Sequence, residues 1–253
     1  MRNLILAAFG WLAMLAGPAQ AQPAASPTLV EAWLAWQEER QASQAAPFDW
    51  AYSFALRERE AQGLEQRRSR LVAELEVLSN TLALAGDSDR ADALTDWQGA
   101  LSSLPVLPAR SPERLGLPHL ASDLRRNPAM ADIASLGTCA PPAWIETWTL
   151  EGVDRLAWTP GMSVDQALEG LPAGATQGID RVTLIPPLGK PHDIGIAAWN
   201  HDTAPLAPGS RLIALLPESG LGGTVEGDIV NRELAAWLAT RLPGDDCTIR
   251  DVE

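Results

Sequence analysis

Lysine is almost missing from this chain: Lys190 is the single one, and 19 basic against 32 acidic side chains leave a formal charge of −13. So few cations cannot neutralise a run of phosphates, which argues against nucleic acid as a partner. Cysteine is as scarce, with Cys139 and Cys247 the only two, and their separation is far too large for a redox pair or a zinc knuckle. His119, His192 and His201 stand alone, with no i, i+4 partner and no neighbouring cysteine, so the sequence offers no metal site. No serine lies in a nucleophile-elbow pattern. Gly220 to Gly223 is followed by no lysine, so a phosphate-cradling loop is lacking too. These gaps predict a protein that works without a cofactor.

Long apolar runs are missing except at the start. Arg2 precedes the apolar residues 4–16, and Ala19-Gln20-Ala21 supplies small residues at both cleavage positions, so residues 1–21 read as a signal peptide. The run is shorter than the ~20 apolar residues a membrane span requires, and no cysteine follows the cut for lipid attachment. The mature chain is expected outside the cytoplasm with no transmembrane span, and loss of Arg2 takes its charge from −13 to −14. In an oxidising compartment Cys139 and Cys247 are expected to form a disulfide that pins the C-terminal helix to the edge of the domain before it; the alternative is two free thiols. An acidic polymer would be repelled on average. The one dense cationic patch is the arginines at 57, 59, 67, 68 and 70, most simply the solvated face of a helix.

What is present is patterned. Leu29, Trp33 and Trp36 lie on one face of a helix that stops near Pro47. After Asp49, a candidate N-cap, Trp50, Phe54, Ala61, Leu64, Leu71, Leu75, Leu78 and Leu82 recur at helical spacing and predict one long helix, ended by Gly86. Asp87 or Ser88 caps a return helix carrying Ala91, Leu94, Trp97 and Leu101, so an antiparallel helical hairpin is expected. Residues 104–130 hold Pro105, Pro108, Pro112, Pro118 and Pro128 and are too broken for long elements.

The second half alternates with period two. Residues 144–150 and 155–158 read as a β-hairpin around Glu151-Gly152-Val153-Asp154. Ser163 and Gln166 form a capping box before a short helix. Val182 and Leu184, then Ile194, Ile196 and Ala198, then residues 212–216 give three further strands. The order β-β-α-β-β-β is that of a β-grasp. Residues 228–242 form a last amphipathic helix, stopped by Pro243-Gly244. The expected fold class is α+β: an N-terminal antiparallel helical hairpin, a C-terminal β-grasp domain and a terminal amphipathic helix. The segments are a signal peptide (1–21), a helical hairpin region (22–101), a Pro-rich connector (102–138), the β-grasp domain (139–223) and a C-terminal helix and tail (224–253).

Four stretches carry a resemblance: Thr159-Pro160-Gly161, Ala198-Trp199-Asn200, Leu206-Ala207-Pro208-Gly209-Ser210, and residues 231–243 with Leu238, Arg241 and Pro243. Together they resemble the periplasmic capsule and exopolysaccharide biosynthesis family called GfcC/YjbG-like, whose second domain is a β-grasp similar to the soluble-ligand-binding modules of polysaccharide exporters. The family design has a first β-grasp domain interrupted by a helical insertion. Here its opening strands are missing from the reading, and the connector 102–138 is a candidate remnant.

The resemblance implies a periplasmic, non-enzymatic accessory protein with the polysaccharide export machinery, including the outer-membrane export channel, as partner. The alternatives are a module that binds the polysaccharide directly and a carboxylate-dependent glycan-processing hydrolase, whose paired Asp or Glu would be set by three-dimensional spacing. Pro108-Ala109-Arg110 matches a family segment ending in arginine, which makes Arg110 a candidate ligand-binding residue through its fork of donors. The structural alternative is an arginine that holds down a proline-rich loop. Of the ten tryptophans, Trp33, Trp50 and Trp97 lie on apolar stripes and read as core, and Trp144, Trp148, Trp158 and Trp199 read as strand residues. For the tryptophans core packing is the first reading, a protein interface the second, with Trp144, Trp148 and Trp237 as its candidate residues, and sugar stacking the third.

Overall fold

The computed structural model describes residues 26–217 and 220–252; the expected signal peptide lies outside the described residues. The chain is mixed α+β with two sheets. Thr28 opens α1 (Leu29–Ala42), its backbone N–H donating to the Glu31 carboxylate at 2.7 Å in a capping box. Trp33 and Trp36 stack 5.6 Å apart on its buried face, and the Trp33 indole donates to the Leu115 carbonyl at 2.8 Å.

Asp49 does not start a long helix. It caps a single turn, accepting the Ala51 N–H at 3.0 Å, after which the chain extends as β1 (Ser53–Arg57). Trp50, Phe54 and Ala61 match a helical stripe by spacing alone. Instead β1 pairs antiparallel with β2 (Ile133–Cys139), and Ser53 to Leu56 are buried on both faces because Phe54 and Ala55 enter two separate core clusters. A short helix, α2 (Glu58–Ala61), precedes α3 (Leu64–Ala85), which ends where Gly86 turns left-handed at φ 83°. Asp87 accepts the Arg90 N–H to cap α4 (Ser88–Ser103), which packs back along α3.

The connector also differs from expectation. It holds α5 (Leu117–Ser122) and then β2, and β2 pairs on its other side with β8 (Cys247–Asp251), a strand in what read as a tail. The disulfide between Cys139 and Cys247 joins facing residues of β2 and β8. It therefore closes the three-stranded sheet β1-β2-β8, and does not tie the C-terminal helix to the other sheet as expected.

The second sheet runs β4-β3-β7-β5-β6, built from β3 (Trp144–Thr149), β4 (Gly152–Ala157), β5 (Arg181–Ile185), β6 (His192–Gly195) and β7 (Arg211–Ala214). β3 and β7 are parallel, and the other pairs are antiparallel. The β3–β4 turn is tighter than expected. Thr149 pairs with Gly152, whose φ is +120° and where a Cβ would approach the Asp96 carboxylate of α4 to 3.0 Å. β6 stops at Gly195 because the chain folds over it: the Asn200 side chain accepts the Ala197 N–H at 3.0 Å and donates to the Asp180 carbonyl at 2.9 Å. Trp199, expected in a strand, thus sits in a turn at 75% exposure.

Both faces of this sheet are covered. On one, α6 (Val164–Glu169), capped by Ser163, lays Val164 and Ala167 against Ile145, Val182, Leu184 and Leu212. On the other, α3, α4 and α7 (Val225–Leu238) pack Leu75, Trp97, Leu234 and Trp237 against Trp148, Ile185 and Ile213. Trp148 meets the Trp97 ring edge-on at 5.9 Å. Trp148 and Trp237 are both fully buried, in line with the core reading placed first and against their candidacy as interface residues. Their apolar surface is removed from water by helices of this same chain.

Candidate functional site

Three arginines are buried where the end of α7 meets both sheets: Arg110, Arg211 and Arg241. A helix end leaves backbone carbonyls without partners, and guanidinium donors satisfy them. Arg110 donates to the Ala239 carbonyl at 3.0 Å, Arg211 to the Leu242 carbonyl at 3.1 Å, and Arg241 to the Val106 carbonyl at 2.9 Å. One buried carboxylate answers them: Glu146 accepts from Arg211 at 3.0 Å, from the Trp148 indole at 3.0 Å and from Arg155 at 3.3 Å. Burial would raise the Glu146 pKa, but Arg211, the Trp148 hydrogen bond and Arg155 outweigh it and hold the carboxyl below its ordinary value. Burial, then the charges of Arg211 and Arg241, pushes Arg110 down to about 9. Burial, then Arg211, Arg68 and Arg67, pushes Arg241 down to about 9 as well. Both stay cationic at neutral pH.

Arg110 was the ligand-binding candidate. It is 2% exposed and has no open donor face: besides Ala239 it bonds the Pro186 carbonyl at 3.1 Å and the Pro187 carbonyl, while its backbone N–H reaches the Thr240 carbonyl at 2.8 Å. These bonds moor the loop after β5 to the end of α7, the arrangement of an arginine that holds a loop in place. Arg110→Ala is expected to lower the unfolding free energy by about 2–3 kcal/mol, because three carbonyls lose a donor while repulsion from Arg211 and Arg241 is relieved. Denaturant unfolding with a loss under about 0.5 kcal/mol, the range of a neutral surface change, would mean that Arg110 holds nothing.

The moored loop continues into Gly189 and Lys190, and these form one wall of a cleft of about 700 Å³. The segments 112–115 and 125–128, with Arg57, His119 and Asp132, form the others. Its charged lining is Arg57, Arg114, Arg125, Arg126 and Lys190 against Glu113 and Asp132, a local cationic excess in an acidic protein. Arg57 holds Glu113 at 2.9 Å, and Arg125 and Arg126 hold Asp123 at 3.2 and 3.3 Å. Such a lining binds oxyanions through guanidinium forks.

The sequence missed this cleft. The dense arginine patch that it did offer is dispersed: Arg68 pairs with Glu65, Arg70 with Glu74 and Glu233, and Arg57 alone of the five reaches the cleft. The isolation of Lys190 between Gly189 and Pro191 was the available signal. Trp144, the remaining interface candidate, is half-buried; its indole donates to Asp245 at 2.8 Å, and the Arg155 guanidinium lies 4.0 Å from its ring centroid. Trp144, Trp148 and Trp237 do not form a common surface. Among the described residues no group of three or more His, Cys, Asp or Glu side chains is placed to hold a metal ion, and no helix is long and apolar enough to cross a membrane.

Residues 153–243 match the family model described as capsule biosynthesis GfcC C-terminal. The match runs from β4 through α7 and contains all four stretches on which the resemblance was read; Arg110 lies outside it. No curated protein matches the chain.

Proposed function

We propose that this protein is a non-enzymatic accessory factor in capsule or exopolysaccharide biosynthesis and export, acting in the periplasm by binding or assembly. The observation that carries this reading is the match of residues 153–243 to the capsule biosynthesis family model. Three features support it. The sheet order β4-β3-β7-β5-β6, with β3 and β7 parallel and α6 across one face, is consistent with the proposed β-grasp, and α4 packed along α3 on the other face is consistent with the proposed helical hairpin. The Cys139–Cys247 disulfide suits an oxidising compartment. The arginine-lined cleft offers binding chemistry for oxyanions.

The polysaccharide export machinery is the proposed partner. The apolar face of α7 is taken up by α3 and the sheet, so a partner would meet the helix on its polar side, at Arg232 and Ala236. Deleting the gene is expected to reduce or shorten the surface polysaccharide, with restoration by the wild-type gene. Polymer of unchanged amount and length would overturn the reading, as would recovery of the mature protein from the cytosol. Release of shortened glycan by the purified protein would move it to the processing-enzyme class.

A further inference from the structure

We propose that the cleft is the head of a longer groove that takes a segment of an anionic glycan, with Arg114 and Lys190 receiving its acid group. The inference rests on the accessory role above and adds the class of ligand. A second cavity of about 420 Å³ shares Pro112 and Lys190 with the cleft, and a third of about 740 Å³ shares Pro191, Arg232 and Ala235 with the second. The three therefore run together past the loop that Arg110 moors, a shape that suits a chain better than a compact metabolite.

Charge sets what kind of chain. Arg57, Arg125, Arg126, Arg181 and Arg232 each hold a carboxylate of this protein. Arg114 and Lys190 hold none among the described residues, and neither does Arg67, whose Nε donates to the Gly63 carbonyl at the start of its own helix. Arg114 and Lys190 meet where the first two cavities join: Lys190 lines both, and a Cβ on the neighbouring Gly189 would lie 3.4 Å from the Arg114 Nε. Two exposed cations at this junction, with no carboxylate partner among the described residues, attract an anion, and the acidic remainder of the surface lowers the potential elsewhere and so confines the attraction to this point.

The second cavity supplies a different need. Glu60 lines it, and its Oε2 is enclosed with no hydrogen-bond donor among the described residues. A buried acceptor left without a donor is costly, and a sugar hydroxyl satisfies it once the Glu60 side chain turns that oxygen into the cavity. No Trp, Tyr or Phe lines any of the three cavities, so neither nucleobases nor neutral sugar rings find a stacking face. Cations for an acid group and a carboxylate for a hydroxyl together describe a glycan bearing oxyanions, carried as uronate carboxylate or as sugar phosphate.

Calorimetric titration of the mature protein with oligogalacturonate, a phosphomannan fragment, neutral dextran oligosaccharides and a single-stranded oligonucleotide tests this. One or both acidic glycans are expected to bind, more weakly as salt is raised, and the better binder identifies the acid group. Arg114→Ala/Lys190→Ala is expected to weaken that binding at least tenfold with an unchanged unfolding midpoint, since both side chains are exposed. The proposal is overturned if neither acidic glycan binds, if dextran or the oligonucleotide binds as well, or if the double variant binds like the wild type. A deletion phenotype without binding would remove the groove and leave the accessory role standing. Binding without a deletion phenotype would do the reverse.

Discussion

Alanine at Glu146 is expected to lower the unfolding free energy by about 3–5 kcal/mol, the cost of leaving a buried charge without its partner. Arg211 is 3% exposed, and its Nε bonds the Glu146 carboxylate at 3.0 Å on neighbouring parallel strands. No other carboxylate reaches Arg211 among the described residues, and Arg110 and Arg241 add like charge nearby. The carboxylate also accepts from the Trp148 indole at the centre of the core, so its loss leaves a buried donor without a partner as well. Denaturant unfolding measures this directly; a loss below about 1 kcal/mol would mean that the carboxylate is not the counter-charge of the junction.

The same pair sets an acid limb. Because the folded-state pKa of Glu146 lies below its unfolded value, its contribution is present in full above the ordinary glutamate range, about 4.3, and is lost as pH falls through the folded value. Glu146→Gln, already uncharged, is expected to be less stable at neutral pH and to lose less stability than the wild type between about pH 5 and pH 3. Parallel acid-unfolding curves for the two proteins would remove Glu146 from that limb.

Replacing both Cys139 and Cys247 by alanine is expected to cost about 4–5 kcal/mol in the chain-entropy account, since the bridge spans a sequence separation of 108. The effect should be uneven. β8 is an edge strand, paired among the described residues to β2 alone, and its side chains are half-buried at Cys247 and Ile249 and exposed at Thr248 and Arg250. Little apolar burial holds it without the bridge, so amide hydrogen exchange in β8 should accelerate on reduction more than in β3 or β7. Oxidised and reduced proteins that unfold at the same denaturant midpoint would sink the prediction.

Legibility in the sequence followed the range of the interaction. The Ser163–Gln166 capping box, the left-handed stop at Gly86 and the cap at Asp87 each depend on residues within a few positions, and each was readable. So were the period-two runs at β3 and β5, and the strand introduced by Pro208-Gly209 at β7. β1 was misread as helix because Trp50, Phe54 and Ala61 satisfy a helical spacing, and the partner that makes Ser53 to Leu56 a strand comes from β2, far along the chain. The disulfide pairing itself was readable from two cysteines and a signal-like N-terminus; the strands it joins were not. Arg110 was recognisable as unusual, yet its place as a donor to the carbonyls of Pro186, Pro187 and Ala239 depends on three segments meeting.

The amino-acid sequence by itself determined the local vocabulary of this protein: where helices start and stop, which runs alternate, an acidic charge of −13, and a C-terminal segment written in the manner of a capsule biosynthesis family. Only the tertiary structure separated core from interface for Trp148 and Trp237, because the helices α3, α4 and α7 cover the second face of a sheet whose alternation alone suggested one open side. It also decided that cations from the segments 112–115, 125–128 and 189–190 share one cleft. Spacing along a chain records contacts within a turn or a strand, whereas a cleft is made by segments that only chain folding brings together.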